Sequence, residues 1–508
     1  MALLGSLIKG AIHLTDKLSG ASTHVETQEQ VLRSLITAAK LTAFGKHYEF
    51  ERLLSEDKLS NVFKATVPYF DYSSLNKQWW SRLQEGQRDV TWPGHPTYFA
   101  LSSGTTGKTP KRIPVTDDML SAIKRAGLKQ IQSLSNFNFP AELFEKEIMM
   151  LGSSTDLTEH NNHLEGEISG ITAANIPFWF QGYYKPGEDI AKIDNWDDRV
   201  NLIAKNAKQW DIGALSGIPS WIELMLKKVI ETHHLTNIHE IWPNLRVYTS
   251  GGVAFSPYKK SFNALLGKPV TIIDTYLASE GFIACQTRPE TSSMELMTDH
   301  GIYFEFIPFA PEYINEDGSL VQDAPSLSLA DVELEQDYVL IISTVSGAWR
   351  YMIGDTIAFT NIERAEIKIT GRTKFFLNTV GSQLSVNKMD DAIQHLEHAF
   401  NTTISEYTLC AKRGDNGKFY HYWYIGSQLP SNLNSSVAEQ LDNFLQAANK
   451  NYKVARSKAL HGVKVNLINP ALFYEWNAEQ KKKGGQVKME RVMREEKFEA
   501  WEAFVCSA

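Results

Sequence analysis

Two periodicities divide the chain. Through roughly the first hundred residues apolar positions recur at helical spacing, as in Val25 to Phe44, where Val31, Leu35, Ala38, Ala39 and Thr42 follow a 3.6-residue period and predict a buttressing amphipathic helix. Met1 to Leu18 reads the same way: Leu3, Leu4, Leu7, Ile8, Ala11, Ile12 and Leu14 are spaced for a helix. Lys9, His13 and Asp16 interrupt it and no small-residue cleavage site follows, which argues against a signal peptide. From Tyr98 onward, short β-rich runs alternate with helical segments: Tyr98 to Leu101, Glu147 to Leu151, Leu245 to Thr249, Val270 to Tyr276, Ile302 to Phe306 and Val339 to Thr344. Alternation of this kind predicts an α/β fold with mixed sheets covered by helices. After about residue 371 the pattern changes to a smaller α+β unit, with strand-like Tyr407 to Lys412 and Phe419 to Gly426 and a helix-like run from Ser436 to Asn449. The expected organisation is a large domain over 1–371, with 1–95 as a mainly helical lead-in, and a small mobile C-terminal domain over 372–508.

Composition narrows the classes without naming a function. A chain of 508 residues that is 43% hydrophobic and 22% charged exceeds what one core requires. The formal net charge of −8 supplies no overall attraction to nucleic acid or to an anionic membrane surface. No run approaches the ~18 apolar residues of a membrane span. Cys285, Cys410 and Cys506 are widely spaced, with no CxxC pair, so neither a disulfide framework nor a zinc ribbon is indicated and a reducing cytoplasm is the expected location. Oligomeric state is open.

Chemistry concentrates where Tyr98-Phe-Ala-Leu101 runs into Ser102-Ser-Gly-Thr-Thr-Gly-Lys-Thr-Pro-Lys-Arg112. Glycines let backbone N–H groups approach phosphate oxygens, hydroxyls donate further hydrogen bonds, and Lys108, Lys111 and Arg112 offer countercharge. The P-loop of NTPases is excluded, because it needs four residues between its first glycine and its Gly-Lys pair, and only Thr105 and Thr106 separate Gly104 from Gly107. A polar connecting turn is the competing reading of these residue types taken alone.

Ser103 to Gly107 followed by Pro110-Lys111 resembles the phosphate loop of adenylate-forming enzymes, with one extra residue before the Pro-Lys pair. Ser102-Ser103 and the spacing to Lys111 are more closely similar to the acyl-acid amido synthetases of the auxin-responsive-promoter family, which join hormones such as auxin and jasmonate to amino acids in plants and have bacterial relatives. A bacterial-type member is the expectation. The resemblance implies ATP and Mg²⁺, with Ser102, Ser103, Gly104, Thr105 and Thr106 around the phosphates and Lys111 in contact with them.

Companion motifs follow in order. Val270-Thr-Ile-Ile-Asp-Thr-Tyr276 reads as a strand ending in Tyr276-Leu-Ala-Ser279-Glu280-Gly281. By resemblance Tyr276 lies along the adenine, Ser279 reaches the α-phosphate and Glu280 helps hold Mg²⁺, a metal that favours one or two carboxylates completed by phosphates and water. Arg350-Tyr-Met-Ile-Gly354-Asp355 resembles the segment whose Asp accepts hydrogen bonds from both ribose hydroxyls, with Trp349 replacing the usual leading Tyr. Gly371-Arg372-Thr-Lys374 resembles the hinge between domains, which would bring Arg372 to the nucleotide. Gly485-Gln-Val-Lys488-Met-Glu-Arg491 resembles the C-terminal element whose lysine, here Lys488, stabilises charge during adenylation. Gly251-Gly252 after Leu245 to Ser250 resembles the double glycine beside the adenine, and Ser216 to Trp221 another stretch near the nucleotide.

Phe178, Trp179 and Phe180 with Tyr183 and Tyr184 are candidates for walling an acyl pocket, although aromatic clusters also serve as plain core. Glu159-His160-Asn-Asn-His163-Leu-Glu165 gathers possible metal ligands but matches no mechanistic zinc spacing, and a solvated polar loop is the expectation there. The hydrolase elbow GxSxG and the dinucleotide fingerprint GxGxxG are absent. The reaction implied is attack of a carboxylic acid on the α-phosphorus of ATP, then transfer of the acyl group to an amine, such as an amino acid. Transfer to the thiol of coenzyme A, or a catalytically silent nucleotide-binding module, are the alternatives.

Overall fold

The computed structural model describes residues 23–102, 110–160, 162–178, 180–252, 255, 258–310, 312–315, 318–373, 384, 386–414, 416, 418–458, 460–479, 489–493 and 495–507. The helix expected within Met1 to Leu18 lies outside the described residues.

The first described helix, His24–Ala39, begins with a capping box: the Thr23 hydroxyl accepts from the Glu26 N–H at 3.2 Å, and the Glu26 carboxylate accepts from the Thr23 N–H at 3.1 Å. Its buried face is Gln28, Leu32, Leu35, Ile36 and Ala39. Ala38 is exposed and Val31 only half-buried, so the face is turned from the one expected. Thr42 is not a face residue at all. It caps the next helix, Ala43–His47, accepting from the Gly45 N–H, so the single helix expected over 25–44 breaks in two. Gln28 docks the first helix by donating to the Thr298 and Ile302 carbonyls and accepting from the Phe304 N–H. Each polar atom of this buried amide is thereby satisfied.

An eleven-stranded sheet forms the frame. Strands Tyr184–Lys185, Glu147–Leu151, Ile212–Gly217, Val247–Gly251 and Thr271–Ala278 run parallel. From Thr271–Ala278 the order continues antiparallel through Gly281–Cys285, Met294–Leu296, Glu366–Arg372, Tyr351–Asn361, Asp337–Thr344 and Ile302–Pro308. The change of direction therefore falls on the strand that carries Tyr276. On the parallel half, helices Trp196–Asn206 and Pro219–His233 contribute Val200, Ile203, Ile222 and Met225 to a core shared with Met149, Leu215 and Tyr248. This is the mixed α/β arrangement that the alternating pattern predicts, with strand limits shifted by a residue or two.

A four-stranded sheet holds Tyr98–Ser102, which pairs antiparallel with Lys111–Val115 and parallel with Leu164–Gly166. Beyond residue 384, strands Glu406–Arg413, Phe419–Gly426 and Leu460–Ile468 form a separate sheet with apolar clusters of its own. Helix Asn434–Ala448 seats Val437, Leu441 and Leu445 in the cluster around Trp423, while Phe473, Trp476, Phe498 and Trp501 pack together in the second cluster. Among the described residues no helix is long and apolar enough to cross a membrane.

One buried ion pair ties the helical lead-in to the sheet. Arg350 contacts both carboxylate oxygens of Glu305 at 2.9–3.2 Å and donates to the Lys64 and Val67 carbonyls at 2.7 Å. Its guanidinium also lies 4.0 Å from the Tyr69 ring centroid. The neighbouring Trp349 is fully buried, stacked on Phe44 and bonded to the Thr91 carbonyl, so the departure at this position is a packing residue. Removing one member of such a pair strands the other charge in the interior. Arg350→Ala is therefore expected to lower the unfolding free energy by about 3–5 kcal/mol in denaturant titrations followed by tryptophan fluorescence; a loss below about 1 kcal/mol would contradict this role.

Candidate active site

The parallel strands end along one rim, where open α/β sheets receive ligands. Val247–Gly251 delivers Gly251 and Gly252 there. A Cβ on Gly251 would stand 2.8 Å from Thr275 Oγ1, and Gly252 adopts φ +79°, so both positions demand glycine. Thr271–Ala278 delivers Tyr276 and then turns back: Ala278 pairs with Gly281, leaving Ser279-Glu280 as a two-residue tip. Gly281 makes this turn at φ +147°, against Ile302 and Met119. Glu280 is held inward and buried, whereas Ser279 is half-buried.

Asp355 arrives from a distant part of the ladder. Three strands separate Tyr351–Asn361 from Thr271–Ala278 in hydrogen-bonding order, yet the Tyr276 hydroxyl donates to Asp355 Oδ2. The antiparallel half must curl to allow it. Arg372, paired with Asp355 in the neighbouring strand, closes the group with Nε 2.6 Å from Asp355 Oδ1. Burial, followed by the Asp355 charge, pushes the Tyr276 phenol well above its usual range, so it remains a donor. A carboxylate offers about four lone-pair sites. With two engaged, Asp355 retains acceptors for a vicinal diol.

Burial raises the Glu280 carboxyl above the usual carboxylate range, while the Lys111 and Arg372 charges work the other way. Tyr351 lies beside it, its phenol raised well above the usual range by burial and then by Glu280. A desolvated carboxylate in that state gains much from a cation, so Glu280 fits a Mg²⁺ shared with substrate phosphates.

The loop itself is framed rather than described. Ser103, Gly104, Thr105 and Thr106 lie outside the described residues, but Ser102 pairs with Lys111, so the two ends of the loop are clamped together. The Lys111 ammonium lies 5.4 Å from the Tyr72 ring centroid and within reach of Glu280, and the Tyr72 hydroxyl accepts from the Arg112 N–H at 2.9 Å. Arg112, read as loose countercharge, is instead bound to Glu165 at 2.6 Å.

Lys488 also lies outside the described residues, but the segment after it is anchored. Arg491 O accepts from Leu409 N and Leu409 O from Met493 N, both at 2.9 Å, while Met489 is buried in the core of the small sheet. Arg491 binds Glu406 and lies 4.3 Å from the Tyr407 ring centroid.

Among the aromatics, Trp179 lies outside the described residues and Phe178 is 84% exposed. Phe178 therefore walls no closed cavity: a tight turn, with Phe180 N bonded to Pro177 O, projects it outward. Tyr183 is half-buried and Tyr184 buried, its phenol pushed up to about 12 by burial. Tyr72 and Tyr351 were not singled out in the sequence. Tyr351 adjoins a motif residue, but Tyr72 carries no local signal.

Comparisons with known proteins identify the family. Family models match the GH3 family N-terminal domain over residues 19–204, the GH3 family central domain over 295–372 and the GH3 family C-terminal domain over 387–497. The chain belongs to the GH3 family. Among GH3 relatives, a jasmonoyl–L-amino acid synthetase, GH3.5 of Oryza sativa subsp. japonica, is 21% identical over 498 residues, covering 83% of each chain. The indole-3-acetic acid-amido synthetase GH3.4 of Arabidopsis thaliana is 25% identical over 258 residues, 47% of this chain and 42% of the relative, so that match spans less than half of the relative's length. A solved GH3.15 acyl acid amido synthetase superposes with a TM-score of 0.75 at 16% identity, covering 98% of this chain and 96% of that one. A 2-hydroxyisobutyryl-CoA ligase in the postadenylation state gives 0.55 at 13% identity, with 95% and 92% covered. The GH3 chain thus has the fold of adenylate-forming enzymes.

Asp355→Asn keeps the shape but gives up the charge that Tyr276 and Arg372 address. Hydrogen bonds to charged groups contribute ~1.5–3 kcal/mol, so AMP affinity is expected to fall about 10-fold or more in calorimetric titration. Unchanged AMP affinity would remove Asp355 from the nucleotide site.

Proposed function

We propose that this GH3 protein couples ATP to a carboxylic acid, forms an acyl adenylate with release of pyrophosphate, and transfers the acyl group to an amine to give an amide. The observation that carries this reading is the convergence of Tyr276, Asp355 and Arg372 beside Glu280 and Lys111, at the strand ends next to the clamped Ser102–Lys111 loop. The names of the GH3 relatives, synthetases that act on indole-3-acetic acid or form jasmonoyl–amino acids, support an amino acid as the amine. Three free cysteines, two of them buried, suit a cytoplasmic protein.

The difficulty in the first half-reaction is like charge, since a carboxylate must approach a triphosphate. Lys111 reduces that repulsion at the loop base, and Glu280 would hold a Mg²⁺ that would supply further countercharge to the phosphates. Tyr276 lies along the adenine, Ser279 donates to the α-phosphate and Asp355 accepts from the ribose hydroxyls, leaving the α-phosphorus in line with the acid. Ser103 to Thr106 donate to the outer phosphates, and Gly251-Gly252 leaves room for the base. Lys488 approaches when residues 372–508 rotate at the hinge around Arg372. Met489 to Met493, the described segment that follows, is fastened to the small sheet. In the second half-reaction the amine nitrogen attacks the activated carbonyl, AMP departs, and exclusion of water protects the adenylate.

Exchange of labelled pyrophosphate into ATP should require a carboxylic acid, and a broad acid panel with mixed amines and coenzyme A, read by mass spectrometry, should yield an amide. Exclusive thioester formation would shift the reading to a CoA ligase, and nucleotide binding without exchange for any acid would leave a silent module. Lys488→Ala is expected to slow adenylation about 100-fold while ATP binding stays near wild type; unchanged adenylation would refute the role of Lys488.

A further inference from the structure

The polar run 159–165, set aside as a solvated loop, folds into a compact donor cluster. Thr158–Glu159 pairs antiparallel with Leu164–Gly166, and the His160 N–H donates to the His163 carbonyl at 2.9 Å. The two histidines therefore bracket a tight turn, with Glu165 on the returning strand. His160 Nε2 lies 3.3 Å from Glu165 Oε2, and His163 Nε2 lies 3.1 Å from Glu165 Oε1. One ligating atom from each of the three residues lies within 4.8 Å of the others. Ligand atoms at zinc bond lengths of about 2.0–2.1 Å around a tetrahedron stand roughly 3.3–3.4 Å apart. The two histidine–carboxylate distances are close to this value, and the short H-x-x-H-x-E spacing brings all three ligand atoms within 4.8 Å.

Orientation points the same way. His163 Nδ1 lies 2.8 Å from Asn162 Oδ1, which only accepts, so that ring nitrogen carries a hydrogen. In the neutral imidazole the lone pair is then on Nε2, aimed at a carboxylate oxygen. Two lone pairs facing at that distance repel unless a cation lies between them. A single metal ion satisfies both nitrogens and the carboxylate together. Arg112 and Asn162 are the outer partners that commonly orient metal ligands. The His160 side chain is 41% exposed, which leaves a fourth position open to water.

We propose that His160, His163 and Glu165 form a binding site for a transition metal of the zinc class. Its role follows from position. Glu165 stands opposite Phe99 on the strand beside Tyr98–Ser102, while Arg112 leads out of the loop, so an ion on Glu165 fastens the entry and the exit of Ser102–Lys111 to one hairpin.

The test uses the whole chain, stripped with chelator and titrated with Zn²⁺ against a chromophoric competitor. One ion per chain should bind, Co²⁺ should give the visible d–d bands of a four-coordinate site, and Zn²⁺ should raise the melting temperature. His160→Ala, at an exposed position, and Glu165→Gln should each weaken Zn²⁺ binding at least tenfold and abolish the melting shift, with unchanged far-ultraviolet circular dichroism. Absence of stoichiometric binding, or binding that both variants retain, overturns the site. None of these readouts depends on adenylation.

Discussion

The carboxylate of Asp355 is the point on which the site depends. It is nearly buried, and a charge removed from water must be paired. Its partners, Tyr276 and Arg372, come from Thr271–Ala278 and Glu366–Arg372, and Tyr276 is within reach only because the antiparallel half of the sheet curls back on the parallel half. The contact works in both directions. The curl makes the pairing possible, and the pairing holds Tyr276, Glu280 and Asp355 on one rim.

A second constraint fixes the helical lead-in. Arg350, five residues before Asp355, directs Nε and Nη2 to Glu305 and Nη1 to the Lys64 and Val67 carbonyls. The same region supplies Tyr72, which receives the Arg112 N–H and sits under the Lys111 ammonium. The lead-in is therefore more than packing around the sheet. It sets the direction in which the strand after the phosphate loop departs, and so where Lys111 lies relative to Glu280.

The unit beyond residue 384 is built on the opposite principle. Its apolar clusters draw on its own residues, and among the described residues Lys260 contacts Thr403 at 3.1 Å across the border. Within the unit, Arg491 fastens the segment 489–493 through Glu406 and Tyr407, three positions from the proposed Lys488.

What the sequence settled by itself was local and periodic: alternating strands and helices, the anion-friendly composition of Ser102 to Arg112, and the order of motifs through Tyr276, Asp355, Arg372 and Lys488. These are readable because glycine turns, hydroxyl loops and apolar periods act over a few residues. Only the tertiary structure decided which side chains meet. Tyr276 and Asp355 are 79 positions apart, and nothing in either segment announces the curl that joins them. Phe178 reads like a pocket wall but is turned outward by a backbone turn, whereas Glu165 reads like a solvated loop residue but is buried among His160, His163 and Arg112. Burial and long-range contact are properties of the packed chain, and a residue's chemistry follows from them as much as from its identity.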